Sequence, residues 1–368
     1  MSMKKKIVFL FVIISVLLSL SVPSYAESVY NEFDSVWELT DDDTREYLEE
    51  LGIDEISFED LFNLSPTRVI KFLFDICRGA GVKVFKNVIL IAVMLIITAI
   101  AAAFLKNSDK TVNVIYFICT LAVISSVIVP ISKILADAAA GIKTSAVFVD
   151  SYLPVMSAII IASKNPSLAL TYNSFSVFLS SAIVAFADKL FVPCISALMS
   201  LNILSSFSFE NYRDRLIKTV RRLIIIVLSL FSTVYTGLLT TQSVLASSSD
   251  SLALKGIKFI SGAFVPVVGS GVGDAISSVF SSFIIMRNTL GVFVIAVIII
   301  INLPVMAELL VWYFALSFCS IISSMFGLNY ITDTIDNLAS VISLLNIILF
   351  FITFVLTIST GIIITMGK

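Results

Sequence analysis

Between residues 88 and 365 the sequence is divided into apolar runs close to the length that a bilayer requires of a helix, which leaves little room for any fold but a membrane-embedded, all-α one. Clear helical spans are expected at 88–105, 112–131, 173–190, 192–207, 223–246, 288–303, 304–325 and 341–365. Two more apolar segments, 152–163 and 264–285, are short or interrupted and are expected as half-helices, kinked spans or re-entrant hairpins. The fold class that follows is an all-α polytopic membrane protein with eight to ten transmembrane helices. Composition agrees, since the 368 residues are 58% hydrophobic and 14% charged, against about a quarter charged in soluble domains.

The ends of this apolar body are set by charge. Lys4, Lys5 and Lys6 precede the apolar run Ile7–Leu20, and Ser24-Tyr25-Ala26 offers a small-x-small cleavage site, so residues 1–26 read as a signal peptide. The run is shorter than the roughly 20 residues of a spanning helix, which favours cleavage over an uncleaved anchor. Residues 27–65 hold 14 acidic residues against one basic residue, Arg45, a net charge of -13. From Pro66 to Lys368 there are 20 Lys or Arg against 12 Asp or Glu, a balance of +8. The acidic region is expected outside the cytoplasm, either as a solvated arm or as a small docking domain. Within it, Thr40 is expected to cap a helix that has acids in its first turn and stops at Gly52. Ser65 and Pro66 open a second helix, with Val69, Phe72, Leu73 and Ile76 on one face. That amphipathic helix and its linker, residues 66–86, are expected on the membrane surface, leading into a polytopic domain at 87–368.

The polytopic domain carries signs of an internal repeat. Adding 112 to a residue number places span 112–131 on 224–243, Lys143 on Lys255, and Pro154 of YLPVM on Pro266 of FVPVV. With a slip of one, Pro193 falls on Pro304. Two similar halves are expected, about 112–210 and 223–333, followed by a final span at 341–365. Segments 132–150 and 247–260 read as paired surface helices. The basic cluster Arg213, Arg215, Lys218, Arg221 and Arg222 is placed in the cytoplasm. With the N-terminal region outside, an odd number of crossings must then lie between 132 and 210, which favours ten spans, parallel halves and an outer C-terminus.

The stretch SGAFVPVVGSGVGDA, Ser261 to Ala275, has the look of a phosphate loop but lacks its chemistry. A Lys and a hydroxyl would have to follow Gly273, where Asp274 and Ala275 stand, and Asp274 would repel a pyrophosphate. Nucleotide is therefore excluded as a partner, and no nucleic-acid partner is expected. The candidate helix breaks are Pro154, Pro193, Pro266, Gly269, Gly271, Gly273 and Pro304, serving close helix packing or, as paired interruptions in two halves, a conduit. The candidate intramembrane ionisable residues are Glu308, Asp274 and Asp150. Glu308, one turn after Pro304, stands foremost, because a carboxylate inside a span faces a cavity or a partner group. Lys164, Asp188, Lys189 and Arg287 lie near span ends, where they are expected to snorkel. His is absent and Cys77, Cys119, Cys194 and Cys319 stand far apart, so no metal, cofactor, disulfide framework or catalytic residue is expected.

YLPVMSAIIIAS (Tyr152 to Ser163), FISGAFVPVVGSGVGDAISSV (Phe259 to Val279) and the order of signal, acidic region and multispanning body resemble the stage III sporulation protein AE family of endospore-forming bacteria. The resemblance covers most of the mature chain and is strongest around Pro154 and Pro266. It implies a non-enzymatic, permease-like subunit of the mother-cell membrane complex that faces the engulfed forespore. The implied partners are the other subunits of the stage III sporulation A complex, a forespore-side membrane protein and the lipid bilayer. A secondary transporter moving a small solute through the Pro-interrupted helices is the alternative that the residues themselves leave open.

Overall fold

The computed structural model describes residues 33–62, 65–104, 109–162, 166–205, 219–237 apart from 232, 234 and 236, and 269–365. Every regular element among them is helical. In chain order these are α1 (Asp42–Leu51), α2 (Phe58–Phe62), α3 (Pro66–Phe104), α4 (Asp109–Ala162), α5 (Pro166–Phe186), α6 (Val192–Ser205), α7 (Gly269–Met325) and α8 (Asn329–Thr365). Residues 33–38 and 219–231 are helical as well. Five stretches are long and apolar enough to cross a bilayer: Pro66–Phe104, Val114–Ala162, Tyr172–Asn202, Ser281–Met325 and Asn329–Gly361.

The helices are longer than the hydropathy runs suggest, because several expected breaks do not break. The surface helix expected at 66–86 continues without interruption into the span at 88–105 as α3. Helix α4 joins span 112–131, the surface segment 132–150 and the Pro-interrupted segment 152–163, with Pro130 and Pro154 inside it. Helix α7 joins 288–303 to 304–325 straight through Pro304. A proline removes one backbone bond and crowds the preceding turn. Around Pro154 the neighbours Leu153, Val155 and Met156 are all buried, and their packing holds the helix through the defect. A continuous helix cannot cross a bilayer and return, so 288–303 and 304–325 form one crossing at most, and 112–131 with 152–163 likewise. The internal counterpart of 112–131 is described only at 224–231, 233, 235 and 237, and the surface segment 247–260 and Pro266 lie outside the described residues.

Contacts fix the directions of the long helices. The Cys119 thiol donates to the Met94 carbonyl at 3.7 Å, which sets α3 and α4 antiparallel as a hairpin. Helices α7 and α8 form a second hairpin whose turn is closed by Gly327 at φ 72°. Gly327 N–H donates to Ser324 and Leu328 N–H to Ser323, so the last carbonyls of α7 are satisfied by a left-handed residue that glycine adopts without strain. Asn346 on α8 donates to the Met306 carbonyl on α7 at 3.3 Å, and Gly361 lies against Ile295, which carries the pairing along the hairpin. The core is a single apolar cluster running through all the long helices, with Trp312, Tyr152, Phe293, Leu95 and Ile131 fully buried.

Of the two expectations for the acidic region, residues 33–62 take the folded one. Phe33, Val36, Leu48, Leu51, Ile53 and Leu61 are buried. Trp37 packs on Phe293 of α7 with ring centroids 5.6 Å apart, and Tyr47 meets Phe72 of α3 edge-on at 5.6 Å. Burial first, then the Asp43 carboxylate, raises the Tyr47 phenol above its ordinary range, so it docks as a neutral ring. The helix within this head is capped by Asp41, not Thr40. The Asp41 carboxylate accepts from Thr44 N–H at 3.2 Å and from the Thr44 hydroxyl at 2.7 Å, while Thr40 turns its hydroxyl back to the Val36 carbonyl. Gly52, at φ 84°, ends it as expected. The face carrying Val69, Phe72 and Ile76 on α3 packs against this head and the body.

Candidate functional site

Several polar contacts between helices meet on one stretch of α4, from Gly141 to Tyr152. Gly141 and Ser145 form a small-x-x-x-small seat of the kind that lets helix backbones approach. Into it α7 inserts Asn302, which is buried and donates from Nδ2 to the Ser145 hydroxyl at 2.8 Å. The same amide nitrogen donates to the Ile298 carbonyl of its own helix at 2.9 Å. A Cβ at position 141 would stand 3.1 Å from the Asn302 Oδ1, so the glycine is what makes room for the amide.

On the same turn of α4, Lys143 pairs with Asp188 at 3.0 Å, both groups being about half exposed. Asp188 lies in a π-helical turn, Ala187–Phe191, where the Val192 N–H reaches back to the Ala187 carbonyl. Pro193 follows at once and has no N–H to offer the Lys189 carbonyl, which accounts for the irregular turn at this point. The proline expected as a break at 193 thus sits at a real irregularity, joining α5 to α6 without ending the helix.

Two turns beyond Ser145, Tyr152 is buried and its hydroxyl hydrogen-bonds Tyr172 of α5 and, at 3.3 Å, Thr360 of α8. Thr360 also donates to the Leu356 carbonyl at 3.2 Å. Nearby, Tyr235 donates to the Val355 carbonyl at 3.1 Å and stacks on Phe175, centroids 5.7 Å apart. Phe231 extends this wall to Phe186, Phe351 and Tyr235. On the outer side of α4, a cleft of about 420 Å³ separates the acidic head from the body. Glu38 and Asp41 line one side, and Lys143, Thr144, Phe148 and Ser151 the other.

The structure brings some of the expected site residues together and scatters others. Pro154 adjoins the Tyr152 cluster, Pro193 the Lys143–Asp188 pair, and Pro304 lies two residues from Asn302. Glu308 is one-fifth exposed and pairs at 3.5 Å with Lys83 of α3, which is 71% exposed. Asp150 is on the exposed side of α4. Gly269, Gly271, Gly273 and Asp274 form the first turns of α7. Arg287 departs from expectation: it is fully buried in the packed stretch that includes Thr289 and Leu290, rather than snorkelling from a span end. Asp188 is likewise engaged by Lys143 rather than left to the headgroups. Asn302, Ser145, Gly141, Tyr152, Tyr172 and Thr360 escape a reading of the sequence that looks for charges and prolines. The Gly-x-x-x-Ser spacing at 141–145 is a signal that could have pointed to the seat of Asn302 on α4.

Chemically, the node offers hydroxyls, amides and two ion pairs, each joining one helix to another. Among the described residues no three Cys, Asp or Glu side chains stand together as a metal-binding group.

Comparison with known proteins gives a consistent result. The family described as Stage III sporulation protein AE (spore_III_AE) matches residues 43–367. The curated Stage III sporulation protein AE of Bacillus subtilis (strain 168) is 25% identical over 245 residues, a match that spans 65% of this chain and 60% of the relative. No solved structure matches.

Proposed function

The chain belongs to the stage III sporulation protein AE family, and on that premise we propose that it is a non-enzymatic membrane subunit of the channel or secretion-like complex joining mother cell and forespore. The observation that carries the proposal is the extent of the family match, which takes in α1 and every long helix. Membership assigns the chain to spore formation and the apolar helices make it a membrane protein. The finer assignments are ours: residence in the mother-cell membrane facing the forespore, an acidic head outside the cytoplasm, and partnership with the other stage III sporulation A subunits and a forespore-side membrane protein. Two ion pairs that brace helices support the non-enzymatic reading. Lys83 engages Glu308 and Lys143 engages Asp188, and both pairs bridge one helix to another.

Deletion of the chain in a sporulating strain is expected to let engulfment finish and then arrest forespore development. Normal spores from the deleted strain would sink the proposal. Affinity isolation from sporulating cells should recover the sister subunits of the complex. A solute transporter that couples through Glu308 would lose function on Glu308→Gln while still assembling with its partners, whereas a subunit that uses Glu308 as a brace should keep forming spores.

A further inference from the structure

We infer that α7 is held around Pro304 as a fixed joint, so that α3, α4, α7 and α8 move as one body. A bend is the ordinary expectation at this place, because Pro304 cannot donate to the Ile300 carbonyl and its ring crowds the turn before it. Yet α7 continues through it, and within two turns it is tied to a different neighbouring helix at each of three positions. Asn302 donates to Ser145 of α4 at 2.8 Å, Asn346 of α8 donates to the Met306 carbonyl at 3.3 Å, and Glu308 pairs with Lys83 of α3 at 3.5 Å. The first tie is the tightest. Asn302 and Ser145 are both buried, and Gly141 lets the Asn302 amide oxygen lie where any side chain would intrude.

Rocking α7 about Pro304 would separate Asn302 from Ser145, leaving the buried amide only its bond to the Ile298 carbonyl and taking the amide donor from the buried Ser145 hydroxyl. Opening at Pro304 would have to break at least one of these ties, so the joint disfavours alternating access at this proline. On this inference, whatever the assembled complex moves passes between bodies and not through a hinge inside this one. The inference rests on coordinates around α7, and takes from the proposed function only its readout in spores.

The test uses the full chain in membranes of sporulating cells, with Cys77, Cys119, Cys194 and Cys319 replaced by alanine and a cysteine pair introduced as Ser145→Cys and Asn302→Cys. On oxidation with copper phenanthroline the pair should close completely, and spore counts should match those of the same strain kept reduced. A loss of spores on oxidation that reduction restores would overturn the joint, because it would mean that α4 and α7 must part. A second measurement leaves the joint itself intact. Spin labels at Ile299→Cys and Phe314→Cys, exposed positions of α7 on either side of Pro304, should give one narrow distance distribution in lipid nanodiscs, and two resolved populations would refute the inference. Normal sporulation without the chain would sink the proposed function alone, and the spin-label distances would still decide the joint.

Discussion

At the scale of single residues, the node can be weighed contact by contact. Gly141→Ala sets a gain in helix propensity of up to ~1 kcal/mol against a Cβ placed 3.1 Å from the oxygen of an amide whose nitrogen donates two hydrogen bonds. The two nearly cancel, and the variant should stay close to wild type. Gly141→Leu has no such offset and should cost about 2–3 kcal/mol by overpacking, read as a lower thermal midpoint of the purified protein in detergent. Tyr152→Phe should cost on the order of 1 kcal/mol, the upper part of the range for hydrogen bonds within membranes. The double variant Tyr152→Phe with Tyr172→Phe should recover part of that loss, since the Tyr172 phenol is then no longer left buried without the Tyr152 hydroxyl. Additive losses would show that the two phenols do not act on each other. Lys83→Ala, by contrast, removes an ammonium that is mostly in water and should change stability by less than about 1 kcal/mol. None of these distinctions was visible in the sequence. Tyr152 and Thr360 are 208 positions apart, and a tyrosine in an apolar run looks like any other aromatic until its partner is placed.

At the scale of elements, capping chemistry was legible and continuity was not. Pro66 opens α3 and Gly52 closes α1 where local rules put them, because a missing N–H and a left-handed turn are settled within a few residues. Thr40 and Asp41 are both good caps standing side by side, and the choice between them depends on which carbonyl the loser can reach, here Val36. The prolines misled for a different reason. Their effect depends on what packs beside them, and Pro154 and Pro304 are flanked by neighbours that hold the helix straight. The docked head is also an element-scale feature, and it rests on few rings. Trp37→Ala should free residues 33–62 from α7 and make them the first site of proteolysis in the folded protein, with the long helices still protected. Unchanged cleavage would mean that the Tyr47–Phe72 contact suffices to hold the head.

At the scale of the whole molecule, the two hairpins place the head and the end of α8 together. Trp37 meets Phe293, and Gly361 lies beside Ile295 only two residues further along α7, while the turn at Phe326–Leu328 is at the far end. A label on Lys368 should therefore be reached from the same side of the membrane as a label in the acidic head, and a label at Gly327 from the other. Opposite accessibility for Lys368 and the head would contradict this arrangement. The sequence leads to an expected outer C-terminus by counting ten crossings, whereas this expectation comes from the antiparallel pairing of α7 and α8. The family, too, was legible, because it is carried by the short motifs around Pro154 and Pro266 and does not depend on where spans begin. The unbroken course of α7 has one more consequence, and it concerns gene length. Its contacts with the head at Phe293, with α4 at Asn302 and with α3 at Glu308 are strung on a single screw. Each inserted codon would turn one contact relative to the next by about 100° and slide it by about 1.5 Å. Seven codons would nearly restore the angle but not the height, so this stretch should accept substitutions while refusing any change in its number of residues.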